Sequence, residues 1–126
     1  RGISPGTVLE GAMGTSLAAM TSIVFDLAPS HVLWCFVGAA FACSTLASSD
    51  LAGQFPQALA GRANTALNLA AFAGAFAIQW GYGALLDELA ARGWTAADAH
   101  RTAFGTLVVL QAAGFGWFLL GGRKAV

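Results

Sequence analysis

Three amide side chains lie in a segment of the chain that is otherwise almost entirely apolar. Residues 63–86 include no Asp, Glu, Lys, Arg or His, but they include Asn64, Asn68 and Gln79. At about 100° per residue, these amides and Tyr82 fall within an arc of about 60° on one helix. An amide that faces lipid has no hydrogen-bond partner, so this face must meet protein or water.

Three charged residues could act in gating or in coupling to an ion. Glu10 lies about one turn inside the first apolar span, where it could couple to protons, reach the membrane surface, or pair with Arg1 or Arg62. Asp50 could pair with Arg62 across a short turn, in a contact that opens and closes, or it could be a solvated turn residue.

No residue pattern predicts catalysis or a metal site. The sequence has no nucleophile grouped with a base and an orienting acid, and no glycine-rich loop with a phosphate-binding lysine. Cys35 and Cys43 lie in one helix about 12 Å apart along its axis, too far for a disulfide, and no Cys or His pair has zinc spacing. We therefore expect no enzyme activity, no metal and no cofactor.

Composition indicates a membrane protein. Hydrophobic residues make up 57% of the 126 residues and charged residues 10%, compared with about 25% charged residues in a soluble domain. The 6 basic and 6 acidic residues cancel, which argues against a nucleic-acid partner. The chain opens with Arg1 and has no signal-peptide pattern, so we expect a fragment of a longer protein.

Four apolar spans follow one another, each far too long for a strand. The predicted fold is therefore an all-α integral membrane bundle. Ser4 and Pro5 predict a helix start, and Ser30 is the predicted N-cap of the second span. The spans cover about residues 7–27, 31–51, 63–86 and 102–121.

The distribution of basic residues predicts the orientation of the spans. Arg1, Arg62, Arg123 and Lys124 fall on one side, whereas Arg92 and Arg101 fall on the other. Short loops rich in Lys and Arg stay in the cytoplasm. We therefore expect both ends of the segment to be cytoplasmic, with residues 28–30 and the 87–101 loop outside.

The turn FPQALAGRANTAL, with Pro56, Gly61 and Arg62, resembles the cytoplasmic turn between the tenth and eleventh helices of major facilitator superfamily transporters. The stretches NLAAFAGAFAIQWGYGALLD and AHRTAFGTLVVLQAAGFGWFLL are similar to the eleventh and twelfth helices of bacterial members. The resemblance covers the whole chain and implies helices nine to twelve, part of the C-terminal half of a twelve-helix fold in a bacterial inner membrane.

The resemblance implies a secondary transporter with a site near the midplane between two halves. Its partners would be a small solute, lipid and the missing N-terminal helices. The tenth helix would line the cavity, and the residues on one stripe of the second span are the cavity candidates. These residues are Trp34, Gly38, Phe41, Thr45 and Ser48. A packed seam is the alternative for this stripe. The amides would contact the other half, either in helix packing or with solute.

Two other classes of protein fit the same residues. A self-contained four-helix protein, such as a small multidrug-type exporter that dimerises, would use a glutamate in its first helix, and Glu10 is the residue available for it. A membrane subunit without transport activity would need only the helices.

Overall fold

The computed structural model describes residues 4–43, 53 and 55–121, and the regular elements in this part of the chain are α-helices. The all-α prediction is confirmed for these residues. The helices are α1 (Pro5–Val24), α2 (Ser30–Ala42), α3 (Gln57–Ala91) and α4 (Ala96–Gly121).

Helix α1 begins where the sequence predicts. The Ser4 side chain accepts a hydrogen bond from the Thr7 backbone N–H at 3.2 Å, and Pro5 is the first helical residue. A serine cap followed by proline is a typical start, since proline has no N–H to leave unpaired. The helix ends with Asp26 at φ 52°, while the Leu27 N–H donates to Ser22 O at 3.0 Å. This is a helix stop in which aspartate holds the left-handed position that glycine usually takes.

Helix α2 begins one residue earlier than predicted. Pro29 occupies the N-cap position without a side-chain hydrogen bond, and Ser30 is the first helical residue. The prediction of Ser30 as the cap is therefore wrong. The helix has 13 described residues, and the remainder of the predicted second span, residues 44–51, lies outside the described part of the chain.

Helices α3 and α4 are both longer than the apolar spans that predicted them. Helix α3 has 35 residues and α4 has 26, so only residues 92–95 separate them and the predicted 87–101 loop is wrong. Charge sets the limits of an apolar span but does not stop a helix. Glu88 and Arg92, one turn apart, form an ion pair at 2.7 Å across the end of α3.

The turn between α3 and α4 has well-defined hydrogen bonds. Gly93 adopts φ 80°, its N–H donates to Ala90 O at 2.9 Å, and the Trp94 N–H donates to Leu89 O at 3.1 Å. This pair of bonds satisfies the last carbonyls of α3. Thr95 then caps α4, because its Oγ1 accepts from the Asp98 N–H at 3.2 Å.

The chain divides into two compact units. In the first unit, α1 and α2 pack against each other, with α4 from Phe104 onward in the same unit. Its buried apolar residues are Ala19 and Leu33. The second unit contains α3 and the start of α4, and its buried apolar residues are Leu89, Ala99 and Ala103.

Helices α1, α3 and α4 are long and apolar enough to cross a membrane. None of the residues in the most apolar stretch of α3 is buried. Large apolar side chains are widely exposed, including Trp117 at 81% and Leu120 at 82%. A surface of this kind is compatible with lipid and unsuited to water. These features suggest a membrane protein.

Candidate functional site

The amide face of α3 is exposed over most of its length. Asn64, Asn68 and Gln79 are all exposed. Tyr82, at the other end of the face, is half-buried, and its hydroxyl shares a hydrogen bond of 2.9 Å with His100 Nδ1 on α4. One member of the predicted face thus contacts the neighbouring helix, while the three amides remain open to a partner.

The two aromatic cavity candidates on α2 have different surroundings. The Trp34 ring meets the Phe104 ring of α4 edge to face, with centroids 5.8 Å apart and planes at 84°. This is a favoured packing geometry. Phe41 instead lines a cavity in the first unit. The structure therefore places Trp34 in an aromatic contact and Phe41 at a cavity wall.

The cavity in the first unit has a volume of about 160 Å³ and is partly open. Among the described residues, its walls come from α1, α2 and α4 and are apolar except at two side chains, Ser16 and Gln111. The lining residues are Leu9, Ala12, Met13, Ser16, Val37, Ala40, Phe41 and Gln111.

Gln111 links two helices across this cavity. Its Nε2 donates a hydrogen bond to Ser16 Oγ at 3.0 Å. Its Oε1 is buried and accepts no hydrogen bond, and within the described residues it is the one buried side-chain oxygen or nitrogen in this condition. Helix α4 also approaches α1 at Gly14, where a β-carbon would lie 3.8 Å from the Phe115 ring.

The sequence did not single out Ser16 or Gln111 as site residues. A signal for Gln111 was present, because it is the sole amide in α4 and a polar side chain inside an apolar span seldom lacks a role. Ser16 carries no comparable signal, since serines are common on helices that pack in membranes.

The predicted gating residues are only partly described. Glu10 is half-buried on α1, beside the cavity-lining Leu9, and Arg62 is exposed near the start of α3. Asp50, Thr45 and Ser48 lie outside the described residues. The pair predicted between Asp50 and Arg62 therefore stays a prediction.

The described ranges contain no cluster of three His, Cys, Asp or Glu side chains able to hold a metal ion. Cys35 and Cys43 are free thiols.

Comparison with known proteins found no protein-family model, curated protein or solved structure that matches the chain.

Proposed function

We propose that the chain is part of a secondary active transporter that moves a small solute across a bacterial inner membrane by alternating access. In this proposal the chain supplies four helices of a larger bundle, with both ends in the cytoplasm. Its partners are the solute, lipid and further helices of the same protein.

The observation that carries the proposal is the exposed amide face of α3. Asn68 and Gln79 are exposed on a helix that is long and apolar enough to cross a membrane. Within hydrocarbon each amide would lack its hydrogen bonds, at a cost of several kcal/mol. A face of this kind therefore meets either another protein surface or a water-filled path, and a transporter provides both.

The rest of the α3 surface supports placement in a membrane. Leu69, Phe72, Phe76 and Trp80 are exposed, each at 70% or more, and they lie outside the amide arc. Ala70 and Ala77 lie roughly opposite the amides at about 100° per residue. One polar strip on an otherwise apolar helix is the arrangement expected where a helix borders both lipid and a solute path.

Cysteine substitution can test whether the amide face lines a path open to water. In a background with Cys35→Ala and Cys43→Ala, Asn68→Cys and Gln79→Cys are introduced into the full-length gene product. Cells are then treated with a charged maleimide that does not cross the membrane, applied outside intact cells or to inverted vesicles. We expect both cysteines to react, with at least one of them reacting from both sides, as alternating access requires.

Matched controls come from the opposite face at the same depths. Ala70→Cys and Ala77→Cys should stay unreactive, because a thiol in lipid does not ionise and so reacts poorly with a maleimide. Lack of reaction at both amide positions from both sides would contradict the transporter proposal and would favour a membrane subunit without a solute path. Equal reaction on the two faces would contradict the placement of α3 in the membrane.

A further inference from the structure

The amide face of α3 ends beside a histidine. The Tyr82 hydroxyl and His100 Nδ1 on α4 lie 2.9 Å apart, and the two ring centroids are 6.1 Å apart. Histidine is the side chain whose charge ordinarily changes between about pH 5 and 8. Residues 63–86 themselves contain no charged residue and no histidine, so His100 brings a basic nitrogen to a face that has none.

The surroundings of this contact are packed, but the imidazole is open to water. Leu89, Ala99 and Ala103 are buried in the same unit, with Ala103 at 1% exposure. Leu89 lies on the same side of α3 as Tyr82, and Ala103 lies one turn beyond His100. Tyr82 is half-buried, whereas His100 is exposed. The two rings are therefore held on a packed base, and protons from water can reach the imidazole.

The charged side chains of these two helix segments point away from the contact. Four of them lie about 100° or more around their helices from Tyr82 or His100. They are Asp87, Glu88, Asp98 and Arg101. Arg92, at the end of α3, is paired with Glu88 at 2.7 Å. Among the described residues of the second unit, Tyr82 is the titratable group that faces His100.

Protonation of His100 reverses the hydrogen bond to Tyr82. A neutral imidazole has one nitrogen that accepts a hydrogen bond, whereas an imidazolium has two N–H donors. An imidazole nitrogen is a far stronger base than a phenol oxygen, so we assign the hydroxyl as the donor to Nδ1 in the neutral pair. When Nδ1 takes up a proton, it donates to the phenol oxygen instead. The hydroxyl proton of Tyr82 then turns to another acceptor.

We propose that His100 binds the proton to which solute movement along the amide face is coupled, and that Tyr82 positions the imidazole and carries its change of state to this face. The inference rests on the proposed transport function and names its coupling ion. Tyr82 connects the two because its ring is a member of the amide face and its hydroxyl reverses its role when His100 is protonated.

The reaction of Asn68→Cys with maleimide at two pH values tests the proposal. The substitution is made in the full-length protein, in the background with Cys35→Ala and Cys43→Ala, and the reagent is added outside intact cells at about pH 5 and about pH 8. Ala91→Cys, exposed at the end of α3 and about 180° around the helix from Tyr82, gives the reference rate. Division by this rate removes the ordinary effect of pH on a thiol.

We expect the corrected rate at Asn68→Cys to change by about fivefold or more between the two pH values, the lower end of ordinary coupling between two sites. His100→Gln should abolish this change, because glutamine keeps a hydrogen-bonding group but does not titrate. His31→Gln, at an exposed histidine on α2, is the matched control and should preserve it. Tyr82→Phe, which retains the ring, should reduce it.

The charge of the reagent separates coupling from simple attraction. Cationic and anionic maleimides should show a change in the same direction, because coupling alters access for both. Changes in opposite directions would mean that the imidazolium only attracts or repels the reagent, and would overturn the proposal.

Three further results distinguish this inference from the proposed function. A corrected rate that does not depend on pH would contradict the inference alone, since Asn68 would still be reached by water. A pH response that persists in His100→Gln would also contradict it, and Glu10 would then be the next residue to test. Failure of both Asn68→Cys and Gln79→Cys to react from either side at either pH would contradict the proposed function and this inference together.

Discussion

Gln111 on α4 donates a hydrogen bond to Ser16 on α1 across 95 positions of the sequence. Both side chains are otherwise surrounded by apolar residues at the cavity. A polar contact between helices in such surroundings fixes their rotation and depth, since sliding either helix would leave an amide and a hydroxyl unpaired.

Ser16→Ala should lower the free energy of unfolding by about 1 kcal/mol, because it removes one hydrogen bond and leaves the Gln111 amide with no partner at either end. A double-mutant cycle with Gln111→Leu, measured by denaturation in mixed micelles, should give a coupling of about 0.6 kcal/mol or more. Ser22→Ala is the matched control. Its hydroxyl bonds only to its own helix, at Ala18 O. If Ser22→Ala lowered the free energy of unfolding as much as Ser16→Ala does, the contact between α1 and α4 would not be the cause of the effect.

Gly93→Ala should destabilise the turn between α3 and α4. Gly93 has φ 80°, a conformation that costs a residue with a β-carbon about 1–2 kcal/mol. Gly83→Ala should instead stabilise the protein. Gly83 lies within α3 with open space around it, and alanine favours the helix over glycine by about 0.5–1 kcal/mol. Limited proteolysis at residues 92–95 reports both changes. Equal protease resistance of the two variants would rule out the strain argument.

Tyr82→Phe should loosen the contact between α3 and the start of α4 while leaving the ring contact in place. The hydroxyl shares a bond of 2.9 Å with His100 Nδ1, and the two ring centroids are 6.1 Å apart. Loss of one hydrogen bond on a partly exposed surface corresponds to about 0.5 kcal/mol. In a His100→Ala background the substitution should have less effect. An identical effect in both backgrounds would show that the two residues are not coupled.

The proposed orientation makes a prediction for the start of α3 and for the start of α4. In the cysteine-free background, Ala97→Cys at the start of α4 should react with a membrane-impermeant maleimide added outside intact cells. Ala58→Cys at the start of α3 should react only after permeabilisation. Both positions are exposed. The reverse pattern would invert the topology argued from the basic residues.

Local signals in the sequence predicted the presence of the helices more accurately than the residues at which they begin and end. The cap at Ser4 was readable because serine before proline satisfies a free backbone N–H. The ends of α3 could not be read in the same way. The prediction followed the absence of charge in 63–86, whereas the helix continues to Ala91 through Asp87 and Glu88. Helix formation needs suitable backbone preference and capping, and a charged side chain near a helix end can remain in water.

The cavity was harder to predict from the sequence than the amide face was. The face depends on spacing within one helix, which the sequence shows directly. The cavity depends on how residues such as Phe41, Ser16 and Gln111 on three helices come together, and no regular spacing relates them. Trp34 illustrates the limit, because helical spacing grouped it with Phe41 while packing directs it to Phe104 instead.

Where α3 spans a membrane, as we propose, its length makes its inclination depend on the surrounding lipid. At a rise of 1.5 Å per residue, the charge-free part at 63–86 is about 36 Å long, compared with a hydrocarbon thickness of about 30 Å. A thicker bilayer accommodates this part upright, whereas a thinner one requires the helix to lean or the lipid to stretch. Because the amides lie along the same helix, such a lean would also shift Asn68 and Gln79 sideways. Bilayer thickness would then influence which surfaces these two side chains can reach.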